Sequence, residues 1–290
     1  MTDATLSPTL VARGGEPRIR KPRGRHAWLN TIIGVVLLGV MLFPVYWMVN
    51  ISLQPAGAAV EAAWFPFEAQ LGGYATAIAE QSGNLLTSLL VALGSVALSL
   101  AIATPAAYAL AQFRLRYVDV VLLAILVAQM IPGIVVANAL YSAFNTLGLL
   151  NSIGGLILAD STAGIPFAIL IMRAFMLGIP PSIIEAAKVD GAGPFRAFRS
   201  IVVPISRNAL ITAGLFTFLF TWSDFLFGLT LTTTEQVRPI TLGIYQYIGT
   251  YTSDWSTVMA TAVLASLPAI VLLVVAQRFV AAGATGGAVK

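Results

Sequence analysis

The chain has no cysteine, a single histidine and few charges: Asp, Glu, Lys and Arg together make up 10% of its 290 residues. Without cysteine there are no disulfides and no thiolate metal sites. His26 stands among Arg23 and Arg25 in a basic tail, the place of a solvated side chain rather than of a ligand or a catalyst. No metal-ligating cluster and no nucleophile–base pair can be assembled, which sets a membrane enzyme aside. No G-x-x-x-x-G-K-[ST] occurs, and the terminal Gly286 to Lys290 run is not one, so the chain cannot cradle nucleotide phosphates by that device. The charge content falls far short of the roughly 25% of a soluble domain.

What fills the chain instead is apolar. Hydrophobic residues make up 58% of it, and the expected class is an all-α integral membrane protein. The net charge of +4 does not point to nucleic acid, because the basic residues gather at the ends of apolar runs. A helix needs about 20 apolar residues to cross a hydrocarbon core of about 30 Å. Six runs meet that requirement: Trp28 to Ile51, Leu85 to Phe113, Val118 to Phe144, Ile153 to Met176, Ala209 to Leu231 and Val258 to Val280. Pro44, Pro105, Pro132, Pro166 and Pro268 fall inside them, where a missing donor is tolerated if neighbours or water satisfy the freed carbonyl.

The expected organisation follows. Met1 to Ala27 is a disordered basic tail that can touch anionic lipid. The run from Trp28 is too long for a signal-peptide core and is read as an uncleaved first span. Ser52 to Asn84 is an extracytoplasmic loop, Leu85 to Val280 a core of five further spans, and Ala281 to Lys290 a second tail. Both termini are placed in the cytoplasm, because Arg13, Arg18, Arg20, Lys21, Arg114, Arg116, Lys188, Arg196, Arg199, Arg207 and Arg278 then all lie inside, and Arg238 alone outside. The outside loops hold Trp64 and Phe65 in "WFPF", and Tyr245, Tyr247, Tyr251 and Trp255. Such aromatics suit an interfacial belt and equally a protein docking surface.

The inside loop Leu177 to Ser206 interrupts the apolar chain with Glu185, Lys188, Asp190, Arg196 and Arg199. Ser182 and Glu185 have the spacing of a capping box after Pro180 and Pro181, so a short helix to about Val189 is expected. Asp190-Gly191 and Gly193-Pro194 supply turn chemistry. A second short helix should carry Phe195, Phe198 and Val202 on one face and close at Pro204. Ala186 and Ala187 leave a face of little bulk on which another protein can approach. Local physics leaves two readings open: a stiff elbow that docks a partner, or an amphipathic loop lying on lipid.

The spacing from Glu185-Ala186-Ala187 through Gly191 to Ile201-Val202-Val203-Pro204 resembles the EAA motif of ABC-importer permeases, with Val203 where Leu is usual. "FTWSDFLFGLTL" is similar to a WN-[DE]-F stretch of the carbohydrate-type members, with Ser223 in place of Asn. "FPFEAQLGGYATAI" and "QRFVAAGATGGAVK" resemble their first outside loop and C-terminal tail. The likeness runs from Trp28 to Lys290 and is to the smaller permease of the maltose-importer pair.

The resemblance implies a type I ABC-importer permease fold of six spans in the bacterial cytoplasmic membrane. It implies a second permease subunit, two ATP-binding subunits that carry ATP and Mg, and an extracytoplasmic solute-binding protein. Glu185, Ala186, Ala187, Asp190 and Gly191 become contacts to the ATPase, and Ala284 to Lys290 reach towards it. Trp64, Phe65, Tyr245, Tyr247, Tyr251 and Trp255 would face the binding protein. Trp222, Ser223, Asp224 and Phe225 would line the path of a carbohydrate. Asp160, the other carboxylate within a span, is read as a structural cap or an interhelical bond. A polyol or a glycerol phosphate remains an alternative cargo. An ion-coupled secondary transporter is the alternative mechanism, which leaves the elbow unexplained and lacks the internal repeat it would need.

Overall fold

A computed structural model describes residues 27–55, 63–113, 115–250 and 254–285. The chain divides into two compact units, Met1–Tyr46 and Trp47–Lys290. In the first, the described residues form most of helix α1 (Ala27–Ser52), which has no polar side chain from Ile32 to Phe43 and is therefore apolar all round, as a helix in lipid must be.

Among the described residues of the second unit, all regular structure is helical. Helix α2 (Gly72–Gln112) begins well before the expected Leu85, and α5 (Ile153–Met176) spans the expected residues. The expected third span is two helices, α3 (Val118–Ala128) and α4 (Gly133–Leu147), bent by 90°. Pro132 forces this: it has no N–H to continue the ladder, and it drives the residue before it away from helical geometry. The loop at 181–205 contains α6 (Pro181–Val189), α7 (Pro194–Ala197), a π turn (Phe198–Val202) and α8 (Val203–Ile205).

The expected fifth span is also interrupted, as α9 (Arg207–Trp222) and α10 (Leu226–Leu231). Helix α11 (Ile240–Thr250) follows, then α12 (Trp255–Thr285), which runs past the expected end at Val280. Four of these helices are long and apolar enough to cross a membrane, or six if each bent pair counts as one span.

Helix α2 is the centre of the unit, packed along α5 and against α9 and α12. Small side chains allow the approach: Ala103 and Ala107 on α2, Ala168 on α5 and Ala213 on α9 share one buried cluster. Without a hydrophobic drive between helices in lipid, such close backbone contact carries much of the association. Ile184 and Val202 of the 181–205 loop belong to the same cluster, so the loop is rooted in the core.

Candidate functional site

The elbow starts with two prolines. Pro181 occupies the first helical position, where a missing N–H costs nothing, and α6 has no side-chain cap. The expected Ser182–Glu185 capping box is therefore absent, and its role is taken by the fixed φ of proline. The turn after α6 is built as expected. Asp190 donates its N–H to the Ala186 carbonyl, and Gly191 takes φ +80°, the left-handed region that suits a glycine closing a helix. A Cβ on Gly191 would meet no atom within 4 Å, so only the backbone conformation demands glycine there.

The second arm differs from the expected simple helix. In the π turn the Val203 N–H reaches back to the Phe198 carbonyl, one residue beyond an α-helical bond. That widened turn lies immediately ahead of Pro204, whose ring would otherwise crowd the carbonyl four residues earlier. The helix therefore passes through Pro204, and the chain bends by 75° at Ser206 into α9. The extra residue also shifts the register. Ala197 and Val202 are buried and Phe198 half-buried, whereas Phe195 is 73% exposed and leaves the expected inner face.

The elbow thus has two distinct sides. Ile184, Ala187, Ala197 and Val202 face inward, and Phe198 lies 5.4 Å from the Tyr108 ring of α2. Ala187 is 5% exposed, so it is a spacer inside the chain and not a contact for another protein. Glu185, Ala186, Asp190 and Gly191 are exposed. Among the described residues none of Glu185, Lys188, Asp190, Arg196 or Arg199 forms an ion pair, which leaves their charges for something outside the chain.

The break between α9 and α10 gathers the expected path residues but uses them differently. Trp222 is buried, stacked on Phe218, and its indole N–H donates to the Ala265 carbonyl of α12 at 3.0 Å. It fastens two helices and does not line an open path. Ser223 is exposed and its hydroxyl returns to the Leu219 carbonyl at 2.8 Å. The Asp224 carboxylate accepts from the N–H groups of Phe227 and Gly228 at 3.0 and 3.2 Å, starting α10. Phe225 is half-buried, edge-on to Tyr245 at 5.1 Å. Asp160 lies on α5 within electrostatic reach of Asp224, although the two are far apart in sequence. It is 7% exposed and makes no hydrogen bond among the described residues, so the structural cap or interhelical bond expected of it is not formed.

Sequence reasoning missed a cavity of about 400 Å³ beside this break, at the bend between α3 and α4. Gln129, Ile131, Thr162, Phe167, Phe220 and Phe227 line it, and Phe167 makes edge-on contacts with Phe216 and Phe220 at 5.5 and 5.3 Å. Its signal in the sequence was the run Gln129-Met130-Ile131-Pro132-Gly133, a helix stop and restart inside an apolar stretch. Sequence reasoning also missed Gln112, which joins the ends of α2 and α5 at the root of the elbow.

At the opposite ends of these helices, Trp64, Phe65 and Tyr245 are exposed, and Trp64 meets Trp47 edge-on at 5.6 Å. Tyr247 is 4% exposed with its hydroxyl on the Glu80 carboxylate, so it holds α11 to α2 and does not present a surface. Trp255 is half-buried at the start of α12, and Tyr251 lies outside the described residues, as do Gly286 to Lys290 of the tail. Asp254 caps α12. Burial pushes its carboxyl up, but the hydroxyls of Thr257 and Ser256, with their N–H groups, outweigh burial and hold it below the usual carboxylate range.

A family model described as "Binding-protein-dependent transport system inner membrane component" matches residues 100–285, which include the whole elbow. The trehalose transport system permease protein SugB of Mycobacterium tuberculosis is 30% identical over 92% of this chain and 98% of that protein. The sulfoquinovosyl glycerol transport system permease protein SmoH of Agrobacterium fabrum is 32% identical over 90% of this chain and 93% of its own length. A crystal structure of a bacterial ABC transporter that imports the acidic polysaccharide alginate contains a chain of the same fold. The two superpose with a TM-score of 0.72 at 23% identity, covering 88% of this chain and 97% of that one. With the elbow rooted in the helical core and the match extending across it, the chain belongs to the inner membrane components of binding-protein-dependent transport systems, a transport subunit and not an enzyme.

Proposed function

We propose that this chain is one of two permease subunits of an ATP-driven importer and forms half of the path for a neutral carbohydrate. The observation that carries the reading is the two-sided elbow. One side is locked into the core through Ile184, Ala187 and Val202, and the other carries exposed Glu185, Lys188 and Asp190 without partners of their own among the described residues. A rigid body of this kind suits the transfer of motion from a second protein into the spans. In this reading the elbow and both termini are cytoplasmic, and the elbow meets one of two ATP-binding subunits that hold ATP and Mg. The other permease completes the path. A solute-binding protein docks from outside, where Trp64, Phe65 and Tyr245 supply contact area.

The neutral cargo rests on the distribution of charge. Asp224 stands at the helix break with Asp160 of α5 within electrostatic reach, while neither Lys nor Arg occurs from Tyr117 to Met172 or from Asn208 to Val237. A phosphate or sulfonate would meet acidic groups there without a compensating cation. The aromatic wall of Phe167 and Phe220, with Gln129 and Thr162, suits sugar ring faces and hydroxyls instead.

Purification of the tagged chain from its native membrane should recover an ATPase subunit and a second permease. In proteoliposomes, uptake of the sugar that the binding protein retains should stop when ATP hydrolysis is blocked. Gly191→Val places a β-branched residue in left-handed backbone at a cost of about 1–2 kcal/mol, at a position where a Cβ meets no atom within 4 Å. Such a variant should assemble and hydrolyse ATP yet import poorly. Normal uptake by Gly191→Val, or a transport-active complex of this chain alone, would refute the reading.

A further inference from the structure

Helices α2 and α5 end side by side at the root of the elbow, and the chain's own donors run out there. The Met176 carbonyl would take the N–H of residue 180 in a continuing helix, and the Leu177 carbonyl that of residue 181, but both are proline. The Ile179 N–H turns back to Met176 at 3.2 Å, and the Ile183 N–H goes to Pro180 at 3.1 Å, bypassing the Ile179 carbonyl. Gln112, the last residue of α2, fills the gap. Its Nε2 donates to the Met176 carbonyl at 2.7 Å and to the Ile179 carbonyl at 3.3 Å. Arg173 of α5 answers in the other direction, donating through Nε to the Leu110 carbonyl of α2 at 3.2 Å.

These bonds differ in kind from the rest of the joint. Elsewhere the elbow touches α2 through Tyr108, Phe198, Ile184 and Val202, apolar contacts with no preferred direction. Such a surface can slide. A carboxamide aimed at two carbonyls cannot move without breaking its bonds. It also grips Ile179, the residue immediately before the prolines that launch the elbow.

Resting on the functional reading above, the geometry points to Gln112 as a positioning residue for energy coupling: it pins the root of the elbow to α2, so that displacement of the elbow by the ATPase is carried into the spans. Loss of the carboxamide leaves the apolar contacts and lets the elbow shift without α2 following.

The test follows movement of α2 in the assembled importer and needs no knowledge of the cargo. The chain has no cysteine, so Ile78→Cys, at an exposed position near the start of α2, carries a single fluorophore when the partner subunits are also made cysteine-free. In proteoliposomes containing the binding protein, ATP with vanadate should change the label's emission. In Gln112→Met the amplitude should fall roughly fivefold, the net worth of about one hydrogen bond, while ATP hydrolysis by the partner subunits persists. Gln112→Lys restores a donor, and its charge suits a helix C-terminus, so it should recover most of the amplitude.

An undiminished response in Gln112→Met would overturn the inference. So would a Gln112→Lys response as weak as that of Met, because packing alone would then explain the effect. If Gln112→Met does not assemble, Gln112→Asn, one methylene shorter, takes its place, and an unchanged response there is equally fatal. An unsubstituted importer with no ATP-dependent response would remove the functional reading, and the inference with it.

Discussion

A carboxylate inside an apolar span costs about 2.5–3.5 kcal/mol on insertion scales unless protein or water receives it. Asp224 is received by the backbone: it accepts two N–H groups at the start of α10, where Ser223 has already turned its hydroxyl on the end of α9. Both side chains compete with the helical ladder for backbone partners, and that competition divides the apolar run in two. The substitution Asp224→Ala should therefore lower the thermal stability of the purified complex by about 1 kcal/mol, the usual loss on removing a cap. Asp224→Asn keeps an acceptor and should stay near the parent. Equal losses in the two variants would show that charge, not capping, is what the site requires. The neighbouring Trp222 was expected beside a path and instead bonds to the Ala265 carbonyl, because a buried indole N–H needs a partner.

The entry to α5 depends on close contact among backbone atoms. Ser152 accepts from the Gly155 N–H at 3.0 Å and donates to the Leu149 carbonyl at 2.7 Å. A Cβ on Gly155 would stand 2.2 Å from that Leu149 oxygen, whereas one on Gly154 would meet nothing within 4 Å. Gly155→Ala should destabilise by about 1–3 kcal/mol, as overpacking does, and Gly154→Ala should be neutral or slightly stabilising. Thermal unfolding of both variants decides this, and similar midpoints would contradict the geometry. This helix was also the one most legible in the sequence, from Ile153 to Met176, since it is apolar, capped and unbroken. The third and fifth runs were legible only as apolar lengths, because hydropathy reads the same on both sides of a bend. Pro132 announced a kink but not a 90° turn, which depends on Ile131 leaving helical geometry as well. In the elbow, spacing located the turn at Gly191. The register beyond it was hidden, because a π turn has no residue signature, and so Phe195 was expected on the wrong face.

For the molecule as a whole, four or six spans turn on two bent pairs, and the first of them, α3 with α4, decides which side of the membrane the elbow faces. Between the exposed loop at Phe67 and the elbow at Val189 lie α2, the bent pair α3 and α4, and α5. If the bent pair crosses, there are three crossings and the two positions lie on opposite sides of the membrane. If it dips in and returns at its 90° bend, there are two, and they share a side. Each position is 88% exposed, and the absence of cysteine makes single-cysteine labelling unambiguous. An importer permease with its elbow on the ATPase side requires Phe67→Cys to react with a membrane-impermeant thiol reagent added outside intact cells. Val189→Cys should react only after the membrane is opened. Labelling of both from outside, or of neither, would make the α3–α4 pair re-entrant. The elbow and the Trp64–Phe67 loop would then share a side, and one of the two proposed partners would have to be given up.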